Sequence, residues 1–366
     1  MQDNYLFILP SSKLGGAERV ALNLIYYLLT NNHQVTLLTM SGGKSQNWQE
    51  FNNYSNFFWI SGDYNSEKAS LLPITFHLIK LSLKYKYNYI YTTHVHTNSY
   101  LSFLKKLGLF TGSKLISRES FCVFLTYKIG IKKHIFKLAY RFLYGEQDLL
   151  IFQTDEMKKS LETNLGYIPA KKSIVLPNPV NIDLITAKSH KSIKKKYIVA
   201  CGSFIDIKQF DVLVNAFQKI HRIYPDYKLV IIGDGPNKKS LQSQIDSLQL
   251  KKLVILPGRL ITPYEWFSKS EIGVISSKRE GFPNVLLEMM ACGVNRIVST
   301  PCTKSIYTIP NIIVTKSSNE NDLYDGLLVA LKSTEKNTKN YQEFVHSNHS
   351  VSRFLKQVNN IVNSVN

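Results

Sequence analysis

Several features that would assign this chain to a common class are missing from its 366 residues. No stretch approaches the roughly 18 uncharged apolar residues that a membrane-spanning helix needs. The first ten residues carry no basic segment ahead of an apolar one, so we expect no secretory signal peptide. The four cysteines show no CxxC or CxxxC spacing, which disfavours a zinc cluster or a redox motif, and scattered thiols fit a reducing cytoplasm. The sequence therefore argues against an integral membrane protein and against a secreted one.

Acidic side chains are scarce relative to basic ones. The 45 lysines and arginines against 26 acids give a formal net charge of +19. Residues 68–145 hold much of this excess, because Glu119 is the one acid among their thirteen basic side chains. A basic surface fits an anionic partner: nucleic acid, a phospholipid surface or a phosphorylated acceptor. A lysine-rich bias of the whole chain is the alternative, although it explains the local concentration less well.

Short apolar runs alternate with longer amphipathic ones along the chain, a pattern typical of α/β folds with parallel sheets. The pattern breaks at residues 177–197, where a segment rich in proline, lysine and serine predicts an exposed connection. We therefore predict two doubly wound domains, residues 1–180 and 181–344, with a C-terminal helix at about residues 345–366 rejoining the first. Ligands of such sheets bind beyond the carboxyl ends of the strands, and between two domains that edge becomes a cleft.

Glycine-rich turns follow three of the predicted strands, at residues 14–20 (LGGAERV), 202–208 (GSFIDIK) and 233–236 (GDGP). The start of a helix presents unpaired N–H groups and a partial positive charge, which suit an anion such as phosphate. In the second turn, Lys208 lies five residues past Gly202-Ser203 and could reach back to the same phosphate. Each segment could equally be a plain turn, and a lone lysine is usually solvated.

Two glutamates stand in the segment REGFPNVLLEMMACG at residues 279–293. Pro283 suits a helix start and Gly293 a helix end, which puts Glu280 in the loop and Glu288 inside the helix. Eight helical positions correspond to ~12 Å, farther than the ~5–9.5 Å between glycosidase carboxylates. We infer that the two carboxylates contact different parts of one long ligand. The alternative is a helix with one capping acid and one solvated acid.

Taken in order, these segments resemble the retaining nucleotide-sugar glycosyltransferases of group 1 (family 4). The resemblance covers nearly the whole chain and includes GGAERV, the Asn-Pro-Val connection at 178–180, GSFIDIKQFDVLVNAF, LVIIGDGP and ILPGRL. Its most specific element is the pair of glutamates in EGFPNVLLE at 280–288. The resemblance implies the GT-B fold, an α/β architecture of two doubly wound Rossmann-like domains facing across a cleft.

The resemblance also implies roles for individual residues. Glu280 and Lys208 become the predicted catalytic residues, one contacting hydroxyls of the donor sugar and the other neutralising the diphosphate leaving group. Glu288 is expected to bind the ribose hydroxyls. The predicted donor-binding residues lie in the loops at the strand ends and in the helices that follow these loops. They are Gly16, Gly202, Ser203, Gly233, Arg259, Gly281, Phe282, Pro283, Asn284, Val285 and Glu288. The predicted acceptor-side residues are Glu18, Arg118 and Glu119.

Some positions depart from the family pattern. Ser203 stands where many members carry an arginine, the usual partner of the lysine. The histidine that many members place in the N-terminal domain is missing from residues 115–120, which read LISRES. His94 and His96 follow a different strand, and the sequence gives no reason to assign either of them to the site.

A departing nucleoside diphosphate needs compensation of its charge, and folds that use a metal for this usually show an Asp-X-Asp motif. The sequence contains no Asp-X-Asp. Helix N-termini together with Lys208 can stabilise the charge electrostatically. We therefore predict metal-independent transfer without a cofactor, the UDP-sugar being a substrate. Retention at the anomeric carbon, by front-face attack, is implied by the family.

Residues 125–144 (LTYKIGIKKHIFKLAYRFLY) interleave apolar and basic side chains. This pattern favours an interfacial helix resting on anionic lipid. The predicted membrane-facing residues are Lys128, Lys132, Lys133, Lys137 and Arg141. A core helix with one solvated face is the alternative. Docking of this kind would place the protein in the cytoplasm, peripherally associated with the inner face of the membrane.

The function these observations favour is transfer of a hexose or N-acetylhexosamine from a UDP-sugar to a glycan acceptor. The expected partners are a lipid-linked oligosaccharide and an anionic membrane surface. Bacterial capsule, O-antigen or another surface polysaccharide is the expected pathway. A GT-B-fold UDP-sugar epimerase is the alternative enzyme. A basic nucleic-acid-binding protein is less favoured, because no helix-turn-helix, zinc or RNP motif supports it, and we expect no nucleic-acid partner.

Overall fold

The chain divides into two compact α/β units, seen in a computed structural model that describes residues 2–64, 67–189 and 194–364. The first unit contains the residues up to Asn181 and those from Val351 onward, and the second contains Ile182–Ser350. Each unit is built on one parallel sheet. This confirms the predicted class of two doubly wound α/β domains.

The sheet of the first unit has seven parallel strands in the order β3-β2-β1-β4-β5-β6-β7. Its strands are β1 (Asn4–Leu9), β2 (Gln34–Thr39), β3 (Phe57–Ser61), β4 (Tyr89–Thr93), β5 (Lys114–Arg118), β6 (Leu149–Phe152) and β7 (Ser173–Val175). Its helices are α1 (Gly16–Thr30), α2 (Glu67–Lys84), α3 (Val95–Lys106), α4 (Val123–Thr126), α5 (Ile131–Phe142), α6 (Asp155–Leu165) and, from the end of the chain, α14 (Val351–Asn363). The central strands β1 and β4 are buried along nearly their whole length, as expected when helices cover both faces of a parallel sheet.

The handedness of the connections distributes these helices between the two faces of the sheet. Parallel strands are joined by right-handed crossovers. Helix α2 connects β3 to β4, α3 connects β4 to β5, and α5 lies between β5 and β6. Because these three connections run in the same direction across the sheet, their helices lie on the same face. The core agrees with this arrangement, since Leu6 and Ile8 of β1 pack with Leu78 of α2 and Leu101 of α3. The three helices therefore turn their outer surfaces to the same side of the unit.

The second unit has six parallel strands in the order β10-β9-β8-β11-β12-β13. Its strands are β8 (Lys195–Cys201), β9 (Lys228–Ile232), β10 (Val254–Ile255), β11 (Ser270–Ile275), β12 (Arg296–Ser299) and β13 (Ile313–Val314). Its helices are α7 (Ile182–Lys188), α8 (Phe210–Ile223), α9 (Lys238–Ser247), α10 (Tyr264–Lys269), α11 (Asn284–Ala291), α12 (Glu320–Lys332) and α13 (Thr338–His349). Phe217, Ile231 and Leu327 lie at the centre of its core.

Two segments differ from the sequence expectations. The connection predicted at residues 177–197 contains α7, whose Leu184 and Ile185 are buried, and β8 already begins at Lys195; residues 190–193 lie outside the described part of the chain. At the other end, α13 runs to His349 in the second unit, and α14 alone returns to the first. Asn363 fixes α14 there by donating a hydrogen bond to the Tyr89 hydroxyl (2.9 Å).

Candidate functional site

The predicted donor loops meet at the carboxyl edge of the second sheet. They follow β9, β8 and β11, which are neighbours in the strand order, so their carboxyl ends share one edge. Backbone hydrogen bonds join the loops directly: Gly202 N donates to Ile232 O (2.9 Å), and Lys278 N donates to Ile207 O (2.8 Å). The edge is therefore a single connected platform.

Lys208 and Glu280, the two predicted catalytic residues, form an ion pair on this platform. Lys208 comes from a short 3-10 turn after β8, and Glu280 from the loop after β11. The Ser277 hydroxyl donates to the same Glu280 oxygen (2.6 Å), and Glu280 N donates to Cys302 O (2.9 Å). Burial, with the Glu280 carboxylate nearby, raises the pKa of the Cys302 thiol to about 11. The thiol therefore stays protonated at neutral pH, and the reactive charges at this point are the ammonium and the carboxylate.

The helix after the Glu280 loop, α11, begins directly after Pro283. Pro283 is its N-cap and Asn284 its first residue, so Gly281 and Phe282 lead into the helix. Phe282 is buried and its ring lies 6.1 Å from that of His349. Glu288 is also buried, inside α11. The loop and helix positions expected for Glu280 and Glu288 are those seen, whereas contacts with ribose, sugar or phosphate stay predictions.

Gly233 is required by the packing of the platform itself. It has φ +155°, and a Cβ atom there would lie 1.8 Å from Gly202 O. Its amide donates to Gly258 O (2.9 Å), which brings the loop carrying Arg259 against the GDGP turn. The hydrogen bond from Gly235 N and the charge of Arg259 are among the causes that lower the pKa of Asp234. The turn interpretation of GDGP thus has a physical basis, and Arg259 and Ser203 are exposed on the same edge.

A second polar cluster lies at the carboxyl edge of the first sheet. Glu18 in the first turn of α1 accepts a hydrogen bond from Gly15 N (3.0 Å), and Gly16 is the first residue of that helix. His94 Nε2 donates to the other Glu18 oxygen (3.2 Å), and the Ser120 hydroxyl lies 3.1 Å from His94 Nδ1. The three side chains follow β1, β4 and β5, which are adjacent in the sheet.

His94 is the residue that the sequence analysis left unassigned. Its backbone adopts φ +70°, a left-handed conformation that is uncommon for a residue other than glycine and that clusters at functional sites. Its position directly after a strand was visible in the sequence. What the sequence lacked was the strand order, which inserts β4 between β1 and β5 and so brings His94 to Glu18.

Arg118 and Glu119 are buried rather than presented at the surface. The Arg118 guanidinium donates to Asn178 Oδ1, and burial lowers its pKa to about 10. The Glu119 carboxylate accepts hydrogen bonds from the hydroxyls of Tyr144 (2.7 Å) and Tyr140 (3.0 Å), and burial raises its pKa. A direct contact of Glu119 with an acceptor is therefore not what the structure shows. Its carboxylate instead ties α5, through Tyr140, to the loop after β5.

The predicted membrane-facing segment contains the end of α4, a short loop and α5. Of the twelve residues of α5, all of them described, Tyr140 is the buried one. The predicted basic residues are exposed except for Lys133, which is half-buried; the exposed ones are Lys128, Lys132, Lys137 and Arg141. One side of α5 packs on the core through Tyr140 and Phe136, and most of its remaining residues are exposed. No helix in the described ranges is long and apolar enough to cross a membrane, and no group of three or more His, Cys, Asp or Glu side chains in those ranges is arranged to hold a metal ion.

Solved structures similar to this chain define its fold as GT-B. Sucrose-phosphate synthase from Thermosynechococcus elongatus superposes with a TM-score of 0.76 at 15% identity, covering 97% of this chain and 98% of that one. Anabaena HepE in complex with UDP and glucose gives a TM-score of 0.78 at 15% identity, covering 100% of both chains. At this identity the likeness concerns the fold alone.

Two family models match consecutive parts of the sequence. The model "Glycosyltransferase Family 4" matches residues 14–184, and "Glycosyl transferases group 1" matches residues 181–344. The chain belongs to the group 1 (family 4) glycosyltransferases. The resemblance stated from its motifs is thereby confirmed.

Individual proteins similar to this chain agree with this assignment. An uncharacterized glycosyltransferase from Methanocaldococcus jannaschii is 28% identical over 74% of this chain and 73% of its own length. A protein of Campylobacter jejuni is 26% identical over 87% of both chains. Its name is N-acetylgalactosamine-N,N'-diacetylbacillosaminyl-diphospho-undecaprenol 4-alpha-N-acetylgalactosaminyltransferase, which describes a transferase with a lipid-linked acceptor.

Proposed function

We propose that this glycosyltransferase moves a hexose or N-acetylhexosamine from a UDP-sugar to a lipid-linked glycan during synthesis of a bacterial surface polysaccharide. The observation that carries the proposal is the Lys208–Glu280 ion pair on the strand-end platform. It joins a cation suited to a diphosphate to a carboxylate suited to sugar hydroxyls. UDP as the nucleotide is supported by the complexes of HepE with UDP and UDP-glucose. A lipid-linked acceptor is supported by the name of the Campylobacter relative.

In the proposed reaction, the bond between the anomeric carbon and the UDP phosphate breaks, and a bond to the acceptor oxygen forms. UDP leaves with the electron pair of the broken bond, and a phosphate oxygen takes the proton of the acceptor hydroxyl when attack comes from the same face. Lys208 stabilises the charge that develops on the diphosphate, which makes a metal ion unnecessary for this step. The outcome is transfer with retention at the anomeric carbon.

The acceptor side of the reaction is proposed to involve the first-unit cluster. Glu18 and His94 form a hydrogen-bonded pair at the carboxyl edge of the first sheet. A carboxylate that holds an imidazole can orient it toward a sugar hydroxyl. Gly16 is proposed to approach the donor phosphates, and Arg118 to act through Asn178 rather than by direct contact.

We further propose that α5 rests on the anionic inner face of the cytoplasmic membrane, where a lipid-linked acceptor lies. Ile131, Ile135, Leu138 and Phe142 are between 55% and 79% exposed and lie along one side of the helix. Lysines and Arg141 flank this stripe. A helix of this composition binds at a lipid interface by burying its apolar side while its cations contact anionic headgroups.

The function is tested by a UDP-release assay with UDP-, GDP- and ADP-sugars in the presence and absence of an undecaprenyl-diphosphate-linked glycan. The proposal expects release of UDP that depends on both the UDP-sugar and the acceptor, and that persists in EDTA. Conversion of the UDP-sugar without acceptor would identify an epimerase instead. Loss of activity in EDTA with recovery in Mg²⁺ or Mn²⁺ would refute the metal-independent step.

A further inference from the structure

A second helix of the first unit carries an exposed apolar stripe. In α2, Leu72, Phe76, Ile79 and Leu83 are 78%, 68%, 37% and 83% exposed. Their spacing of four, three and four residues places all of them along one side of the helix. The opposite side packs into the core through Ile74 and Leu78, so the stripe is an addition to the face that the fold itself uses. Contiguous exposed apolar surface of this kind marks an interaction site.

The stripe of α2 repeats the pattern of α5. The exposed apolar residues of α5 are separated by the same steps of four, three and four residues; they are Ile131, Ile135, Leu138 and Phe142. The two helices lie on the same face of the first sheet with α3 between them. Thr75 of α2 and Tyr100 of α3 are joined by a hydrogen bond of 2.6 Å. His96 of α3 and Phe136 of α5 have ring centroids 5.6 Å apart.

The charge around the stripe identifies the partner. No acidic residue occurs from residue 69 to residue 118. The exposed cations on or next to α2 and α3 are Lys80, Lys84, Lys86 and Lys106. A second copy of this chain would bring the same cations against one another, which disfavours self-association through this face. An anionic lipid surface satisfies both the apolar stripe and the cations that surround it.

We propose that α2 is a second lipid-binding element, which contacts the same anionic bilayer as α5. This inference rests on the proposed membrane function but concerns a different helix. Two attachments on one rigid sheet reinforce each other, because binding of the first raises the local concentration of the second at the surface. They also fix the first unit against rotation about a single helix, and so set the direction in which its strand ends face the bilayer.

The test is vesicle flotation of the full chain with phosphatidylcholine vesicles and with vesicles that also contain phosphatidylglycerol. The α2 variant carries Leu72→Ser, Phe76→Ser and Leu83→Ser. A matched control carries Ile223→Ser, Tyr307→Ser and Val329→Ser, three exposed apolar residues of the second unit. We expect the α2 variant to bind anionic vesicles about tenfold more weakly than wild type or worse, since it lacks three apolar side chains that the proposal places in the lipid interface. The control is expected to bind like wild type.

Circular dichroism melts keep the result interpretable, because the substituted side chains are exposed and should leave the melting temperature unchanged. A third variant, with Lys132→Glu, Lys137→Glu and Arg141→Glu in α5, separates the two proposals. If it loses binding while the α2 variant keeps it, α5 docking stands and the inference about α2 is overturned. If the α2 variant alone loses binding, the inference stands and α5 docking fails. A wild-type dimer that the α2 variant converts to a monomer, with vesicle binding unchanged, would also overturn it.

Discussion

Replacing Lys208 by alanine removes the ammonium group that forms an ion pair with Glu280 on the strand-end platform. In the proposed reaction this group stabilises charge that grows on the departing diphosphate. Loss of one pre-positioned group of this kind typically lowers kcat by about 10²–10³, which corresponds to ~2.7–4 kcal/mol. The two side chains are only 21% and 15% exposed, so water screens them incompletely. We therefore expect Lys208→Ala to lower kcat by about 10²–10³.

The same substitution should cost little stability. After the lysine is removed, Ser277 still donates its hydroxyl to the Glu280 carboxylate (2.6 Å). The free energy of unfolding is therefore expected to fall by about 1 kcal/mol, the scale of one partly exposed ion pair. A urea titration followed by circular dichroism measures this change, and a folded but inactive variant is the predicted combination.

The assay is acceptor-dependent UDP release under saturating donor, with kcat and KM determined separately. Lys219→Ala is the matched control, because Lys219 forms a 2.6 Å ion pair with Glu320 elsewhere in the second unit. Its kcat should stay within about twofold of wild type, as expected for a surface pair. A Lys208→Ala enzyme with near wild-type kcat would refute the assignment of the leaving-group cation.

Three further predictions concern other parts of the two units. Gly233→Ala places a Cβ atom 1.8 Å from Gly202 O, and the free energy of unfolding measured in a urea titration should fall by about 1–3 kcal/mol or more. Gly112→Ala is the control, because a Cβ atom there has open space around it, and it should leave the free energy of unfolding unchanged. His94→Gln should lower kcat for transfer and leave the KM for the donor unchanged, because His94 belongs to the proposed acceptor side. A variant with the kcat of wild type would argue against this role. Burial raises the pKa of Glu119 above its ordinary 4.5, so the folded state binds its proton more tightly than the unfolded state. The stability of wild type relative to Glu119→Gln should therefore fall as pH rises above 4.5 and level off beyond the raised pKa, and a difference that is constant with pH would contradict this.

The strands were the most predictable part of the fold. The GDGP turn was predicted to follow a strand, and β9 ends directly before it at Ile232. This strand was recognisable because a strand covered on both faces is a continuous apolar run. Helix α7 was missed, since its two buried residues, Leu184 and Ile185, give too short a periodic pattern in a lysine-rich segment. A helix with only two buried residues is therefore hard to recognise from sequence when the residues around it are mostly polar or basic.

The candidate site was predictable where its residues follow one another in sequence, and not where they meet through the sheet. Glu280 lies in a loop and Glu288 in the helix that directly follows it, so their placement follows from local signals. The contact of His94 with Glu18 spans 76 residues and depends on the order of β1, β4 and β5. The burial of Glu119 likewise depends on Tyr140 and Tyr144 from a later helix, which no local pattern announces.

The most direct measurement is a crystal structure of the protein in complex with UDP. The diphosphate is expected next to Lys208, with the ribose hydroxyls bonded to the Glu288 carboxylate and the platform loops unchanged. UDP bound away from the carboxyl edge of the second sheet, or a Glu288 side chain that makes no contact with the ribose, would contradict the proposed donor site.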